Sequence, residues 1–257
     1  MLIKGICLHN PQKSVSVLEK KLKNMDLTNS IKPILISAGI GGHYTAGIDR
    51  LERSLYYEGW GGDMKFWRNE YPVGCPEHNG DGQYNFKVYC FNEMFISGRN
   101  VVVWADASFF SVKNPMPLFD YVNENGLYFF KSGYLLAETA TDRLCEYSGV
   151  SRQELIDNQV SEFATGLIGI NYSNPKGKEF FDTWQQYMRD GMFGGSRFHD
   201  ENDSKHPIYR FSRQDQSVAS MVLYKMGITT CGEDRDYQAY KNTPHNPDKI
   251  LFFIGGL

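Results

Sequence analysis

The sequence predicts an α/β fold: a central, mostly parallel sheet flanked by helices. Three observations predict it. Short apolar, β-rich runs alternate with segments of helical periodicity along the chain. Several of these runs are apolar at every position, as strands covered on both faces are. The length, 257 residues with 41% hydrophobic side chains, is enough to bury the core of one large α/β domain. No internal repeat or low-complexity linker divides the chain, so a single domain is expected over 1–257.

The elements follow in order. Residues 2–8 read as a buried strand. His9-Asn10-Pro11-Gln12-Lys13 is a turn, and Ser14 caps a helix bearing Val15, Leu18 and Leu22 at helical spacing. A second strand over 33–38 runs into Gly39-Ile40-Gly41-Gly42. A helix over 47–57 places Ile48, Leu51 and Leu55 on one face. Residues 59–83, rich in Gly, Pro, Asn and Asp, form a long loop around a short strand at 64–68. An amphipathic helix over 84–97 ends at Gly98. Val101-Val102-Val103-Trp104 is the most strand-like run in the chain. A short helix over 117–124, a strand over 127–130, and helical turns over 141–158 broken at Gly149 come next. A strand over 166–170, a helix over 176–188, a polar loop over 191–206, a helix over 214–225 and a last strand over 250–254 complete the pattern.

Composition excludes several classes. Lys and Arg number 27 against 30 Asp and Glu, a net charge of -3, and no basic cluster stands out. Nucleic acid and anionic membrane surfaces are therefore not expected partners. The apolar N-terminal stretch is shorter than a signal peptide needs. No run reaches the ~18 consecutive apolar residues of a membrane span. The expectation is a protein of the cytoplasm, with Cys7, Cys75, Cys90, Cys145 and Cys231 as free thiols. The 17 Phe, 16 Tyr and 4 Trp belong mostly to the core, although exposed rings also serve as platforms for sugars and bases.

In sheets of this kind ligands sit beyond the carboxyl ends of the strands, so the residues just after each strand matter most. His9, Asn10 and Lys13 lie after the first strand and before a helix N-terminus, a place that favours a phosphate or a base edge. The glycines at 39–42 follow the second strand, with a Gly-x-Gly-Gly spacing short of a dinucleotide fingerprint. Asp106 ends the most hydrophobic strand. A carboxylate there is placed to hold Mg²⁺ or Mn²⁺ against a diphosphate, since these cations bind through one or two carboxylates plus phosphate oxygens. Asp215 opens the helix over 214–225, where the dipole favours its ionised form. Lys87, on the helix before Asp106, is a candidate phosphate contact. His199, Asp200, Glu201, Asn202 and Asp203 read as a solvated loop.

At Asp106 the chain resembles the GT-A glycosyltransferases, and the resemblance extends back to the first strand and its loop and forward to the strand over 166–170 and the helix after it. That family carries an Asp-x-Asp motif after a hydrophobic strand preceded by a helix, and here the motif reads Asp106-Ala107-Ser108. Arg213-Gln214-Asp215-Gln216 resembles a second family motif beside the donor sugar. The resemblance covers the order of elements over most of the chain and is not specific for substrate. It implies transfer of a hexosyl or pentosyl group from a nucleotide diphosphate sugar to a hydroxyl of a glycan or glycoconjugate. It implies donor contacts from His9, Asn10, Lys13, Lys87, Asp106, Ser108 and Gln216, with Asp215 as catalytic base or sugar ligand. Residues 1–110 form the donor half and 111–257 the acceptor half, the acceptor cleft lying between loops 59–83 and 191–206. Mn²⁺ or Mg²⁺ would be held by Asp106 and, as in members that use a C-terminal histidine, by His245. Ser108 departs from the pattern, because serine is a weak metal ligand where a second Asp is usual.

Two readings from other classes stay open. A methyltransferase using S-adenosylmethionine would bind its cofactor at glycines 39–42 and needs an acidic residue closing the next strand. That strand ends in Arg68. A non-catalytic carbohydrate-binding protein of the same fold is the other.

Overall fold

The computed structural model describes residues 33–76, 84–232, 237–240 and 245–255. The strand expected over 2–8 and the loop with His9, Asn10 and Lys13 lie outside the described residues. Five strands make the central sheet: β1 (Ile34–Gly39), β2 (Asp63–Arg68), β3 (Val101–Ala105), β5 (Leu127–Leu135) and β6 (Ser161–Asn171), in the order β2-β1-β3-β6-β5. β2, β1 and β3 run parallel, and β6 pairs antiparallel with both β3 and β5. Four strands thus share one direction and β6 opposes them. A buried apolar run reads the same in either direction, so hydrophobicity alone did not reveal this reversal.

Both faces of the sheet are covered. Ile34, Ile36, Val102 and Trp104 face one core with helices α2 (Asn85–Ile96), α7 (Pro175–Arg189) and α8 (Asp215–Lys225). Leu35, Val101 and Val103 face the other, with α1 (Tyr44–Tyr57) and α3 (Met116–Asn125). This two-sided burial is why the β3 sequence is apolar throughout. The helical stretch broken at Gly149 resolves into α5 (Asp142–Ser148) and α6 (Arg152–Asp157), preceded by the single turn α4 (Leu136–Thr139). Gly149 is the left-handed cap of α5, with φ 69°.

Two expectations change. The last strand, β8 (Phe252–Ile254), does not join the central sheet; it lies between β4 (Phe109–Ser111) and β7 (Gln238–Tyr240) in a second, three-stranded sheet. A turn at Ala107 and Ser108 joins Asp106 to β4, the Phe109 amide donating to the Asp106 carbonyl at 2.9 Å. The helix expected over 47–57 begins at Tyr44, three residues earlier than its periodicity suggested. Gly39 permits this, because a side chain there would come within 2.6 Å of the Tyr44 carbonyl oxygen.

Candidate active site

The antiparallel course of β6 builds the site. Its second half pairs with β3, with Ala105 opposite Leu167, so its first half runs past the carboxyl end of β3. Glu162, Thr165 and Gly166 are therefore delivered to the edge where Asp106 emerges. The Asp106 amide donates to the Gly166 carbonyl at 2.8 Å. Gly166 keeps this approach open, since a side chain there would press on Phe109 at 3.1 Å and Asp106 Oδ2 at 3.4 Å.

Lys87 lies at the centre. It projects from the first turn of α2 and is 3% exposed. Its Nζ is 3.2 Å from Asp106 Oδ1 and 3.1 Å from Asp215 Oδ2, and it donates to the Thr165 carbonyl at 3.0 Å. It also sits 5.5 Å from the Tyr84 ring centre and 5.6 Å from that of Trp104, within cation–π range. An ammonium has three N–H bonds, and these partners engage all three. The Lys87 ammonium is therefore held inside the protein. Burial by itself pulls its pKa down. The charges of Asp106 and Asp215 outweigh that and hold it above the ordinary lysine value.

The two carboxylates differ in surroundings. Asp106 Oδ1 also accepts from Trp104 Nε1 at 2.7 Å, and its side chain is 38% exposed. Asp215 is buried; its Oδ2 accepts from Thr165 Oγ1 at 2.7 Å, and its carbonyl accepts from Trp184 Nε1 at 3.2 Å. Burial raises its pKa above the usual carboxylate value, against the opposing pull of Lys87 and the Thr165 hydroxyl. The residue before it, Gln214, has φ 45° and ψ -112°, a backbone conformation unusual for a side-chain-bearing residue. Two bonds hold it there: its amide side chain donates to the Gly195 carbonyl at 2.8 Å, and its backbone N–H donates to Ser212 Oγ at 3.2 Å.

Gln216 faces the same cavity with its polar atoms engaged. Its Oε1 accepts from the Thr165 amide (3.3 Å) and from Arg213 (3.2 Å), and its Nε2 donates to Glu162 Oε2 at 2.6 Å. Glu162 is fully buried and also accepts from Ser132 (2.7 Å) and Ser217 (3.2 Å). Burial raises its pKa.

Two cavities meet at this cluster. One, of about 340 Å³, lies against the ends of β1 and β3 and is walled by Tyr44, Tyr71, Phe86 and Trp104, with Ser108 at its edge. The other, of about 330 Å³, is polar and walled by Thr165, Arg213, Gln214, Asp215 and Gln216. Tyr84, Lys87, Asp106 and Arg197 border both. Arg197 is exposed and forms no ion pair with a described carboxylate.

Of the expected site residues, Lys87, Asp106, Ser108, Asp215 and Gln216 converge here. His245 does not: it borders a third cavity, with its ring packed 4.8 Å from Phe253. Among the described residues no three His, Cys, Asp or Glu side chains cluster as a metal-binding set. Glu162, Thr165 and Arg197 were missed, and Arg213 was named only as the opening of its motif, with no role. Glu162 and Thr165 lie ahead of the expected strand at 166–170, and only the reversal of β6 brings them here. The glycines at 39–42 turn the chain into α1, and Arg68 at the end of β2 is paired with Asp49 and Glu52. No described carboxylate closes that strand to meet a cofactor ribose.

No family model matches the chain, and no curated protein matches it. Solved structures do match. The apo structure of the WbbM bifunctional glycosyltransferase aligns over 88% of this chain and 46% of its own, at 14% identity and a TM-score of 0.49. A glycosyltransferase involved in the glycosylation of the major capsid of PBCV-1 aligns over 86% of this chain and 91% of its own, at 10% identity and a TM-score of 0.45. Both are glycosyltransferases. The chain spans about half the length of the first. No helix among the described residues is long and apolar enough to cross a membrane.

Proposed function

We propose that this chain transfers a hexosyl or pentosyl group from a nucleotide diphosphate sugar to a hydroxyl of a glycan or glycoconjugate. The observation that carries the reading is the Lys87-bridged carboxylate pair standing where an aromatic cavity meets a polar one. The aromatic cavity offers ring faces to a nucleoside. Arg197, bordering both cavities, meets the diphosphate with a planar guanidinium that forks onto phosphate oxygens. The polar cavity takes the sugar, and there Asp215 faces the anomeric carbon or the incoming hydroxyl.

In the reaction the bond from the anomeric carbon to the diphosphate oxygen breaks and a bond to the acceptor oxygen forms. The electron pair leaves with the diphosphate, and the acceptor hydroxyl loses its proton. If the configuration inverts, Asp215 takes that proton, a role helped by a pKa that burial raises toward the working range. If it is retained, Asp215 and Gln216 hold the sugar and the departing diphosphate oxygen takes the proton. Lys87 keeps both carboxylates in place and gives the site a fixed positive charge beside the leaving group. Asp106, through the oxygen that neither Lys87 nor Trp104 engages, is the residue that would hold Mn²⁺ or Mg²⁺ together with donor phosphate oxygens. Such a cation supplies neutralisation of the departing diphosphate.

Calorimetric titration with UDP, GDP, CDP, ADP and dTDP tests the donor side. At least one diphosphate should bind about tenfold or more tighter than its nucleoside, a difference of about 1.4 kcal/mol. Arg197→Met should narrow that gap. Equal affinity for diphosphate and nucleoside across the panel would remove the basis of the reading.

A further inference from the structure

A third cavity opens on the far side of Arg213. It encloses about 660 Å³, twice the volume of the polar cavity, and Lys131, Tyr134, Gln238, Tyr240 and His245 contribute to its wall. Arg213 borders both, so one side chain stands between the two spaces. Its guanidinium lies 5.7 Å from the Tyr134 ring centre and 5.9 Å from that of Phe211. These flat contacts and the bond to Gln216 fix its orientation. It forms no ion pair with a described carboxylate. The nearby charge of Glu162 is held behind Gln216 and is already met by Ser132 and Ser217. None of the described residues bordering the cavity is Asp or Glu. Gln238 adds a second, independent feature: its Oε1 is buried and accepts no hydrogen bond from the described residues. A buried oxygen of that kind is unfavourable unless a ligand or a water brings a donor.

We propose that this cavity is the acceptor subsite and that it takes an acidic saccharide, one bearing a carboxylate or a phosphate. The proposal rests on the glycosyl-transfer reading and moves the acceptor away from the cleft that the sequence suggested between loops 59–83 and 191–206. The anionic group meets Arg213, whose planar fork matches a carboxylate or phosphate. A sugar hydroxyl donates to Gln238 Oε1. The ring of Tyr240, 61% exposed, offers a face to the sugar. A saccharide so held approaches Asp215 from the side opposite the aromatic cavity.

Binding and turnover are read separately. Saturation-transfer NMR and calorimetry on the full chain compare p-nitrophenyl β-glucuronide and glucose 6-phosphate with the neutral p-nitrophenyl β-glucoside. At least one anionic probe should bind about tenfold tighter than the glucoside, as expected when a buried charged pair replaces a neutral contact. Tyr240→Ala and His245→Gln, which lie in this cavity alone, should weaken that probe severalfold. Both variants should hydrolyse a nucleotide sugar at the wild-type rate when no acceptor is present. Equal binding of neutral and anionic probes overturns the proposal. So does a preference untouched by both variants, because the anion then sits in the donor site. Absence of donor hydrolysis in the wild-type chain counts against the transfer reading alone, since saccharide binding is measured without it.

Discussion

Asp106 and Asp215 hold the same ammonium from two sides, yet one belongs to a strand end and the other to a strained helix start. Asp106 emerges from β3 with its side chain 38% exposed, between two cavities and open to a ligand. Asp215 keeps 4% exposure, is bonded to Thr165, and follows a residue with φ 45°. The difference separates two tasks. An exposed carboxylate is poised to meet ligand charge directly, whereas a buried one has its proton affinity set by the protein. Lys87 couples them, so a change at either end is felt at the other.

Removing the shared ammonium should have the largest effect. Lys87→Met leaves Asp215 buried without its counter-ion, and breaking such a pair costs about 3–5 kcal/mol. Denaturant unfolding should show a loss of that size together with loss of activity. A stability within about 1 kcal/mol of wild type would mean that the bridge does not hold the site together. Next, Asp215→Asn preserves shape and removes basicity. It should lower kcat by about 10²–10⁴-fold if Asp215 is the base. A weaker donor KM with kcat intact would make it a sugar ligand.

The pH profile sharpens the same contrast. Because burial raises the Asp215 pKa, the acid limb of kcat should fall above the ordinary aspartate value of about 3.9 and vanish in Asp215→Asn. The stability sign is the reverse of the usual acidic residue: a raised carboxylate pKa makes ionisation of Asp215 cost stability as pH climbs past its unfolded value. The raised pKa of Lys87 has the same sign of slope: its contribution is fully present below the ordinary lysine value of about 10.4 and declines above it. Gln214→Gly should have the smallest effect. It relieves backbone strain of about 1–3 kcal/mol and gives up one bond to Gly195 worth about 1 kcal/mol. Stability should therefore hold or rise slightly in denaturant unfolding. A loss above about 2 kcal/mol would show that the side chain, not the backbone, secures the turn.

The same contrast explains what the sequence made readable. Asp106 was legible because β3 is buried on both faces, so its apolar run and its end stand out. Asp215 was legible as the first-turn acid of α8, although the strained Gln214 before it carries no residue signature such as glycine. Lys87 was legible as a candidate site residue, but its burial was not, because that depends on partners that β3 and α8 bring from distant parts of the chain. Glu162 and Thr165 were hidden because the direction of β6 is fixed by pairing and not by its composition. The second sheet was missed because β4 and β7 are three residues each, too short for a periodicity. The nucleotide contacts assigned to His9, Asn10 and Lys13 belong to residues outside those described.

The most direct test of the central claim is nucleoside diphosphate release from a panel of nucleotide sugars, comparing the wild-type chain with Asp215→Asn at saturating donor and acceptor. Release from at least one donor is expected, with kcat reduced about 10²–10⁴-fold in the variant if Asp215 is the base, or with raised KM if it holds the sugar. No release from any donor, or a variant with both parameters unchanged, would contradict it.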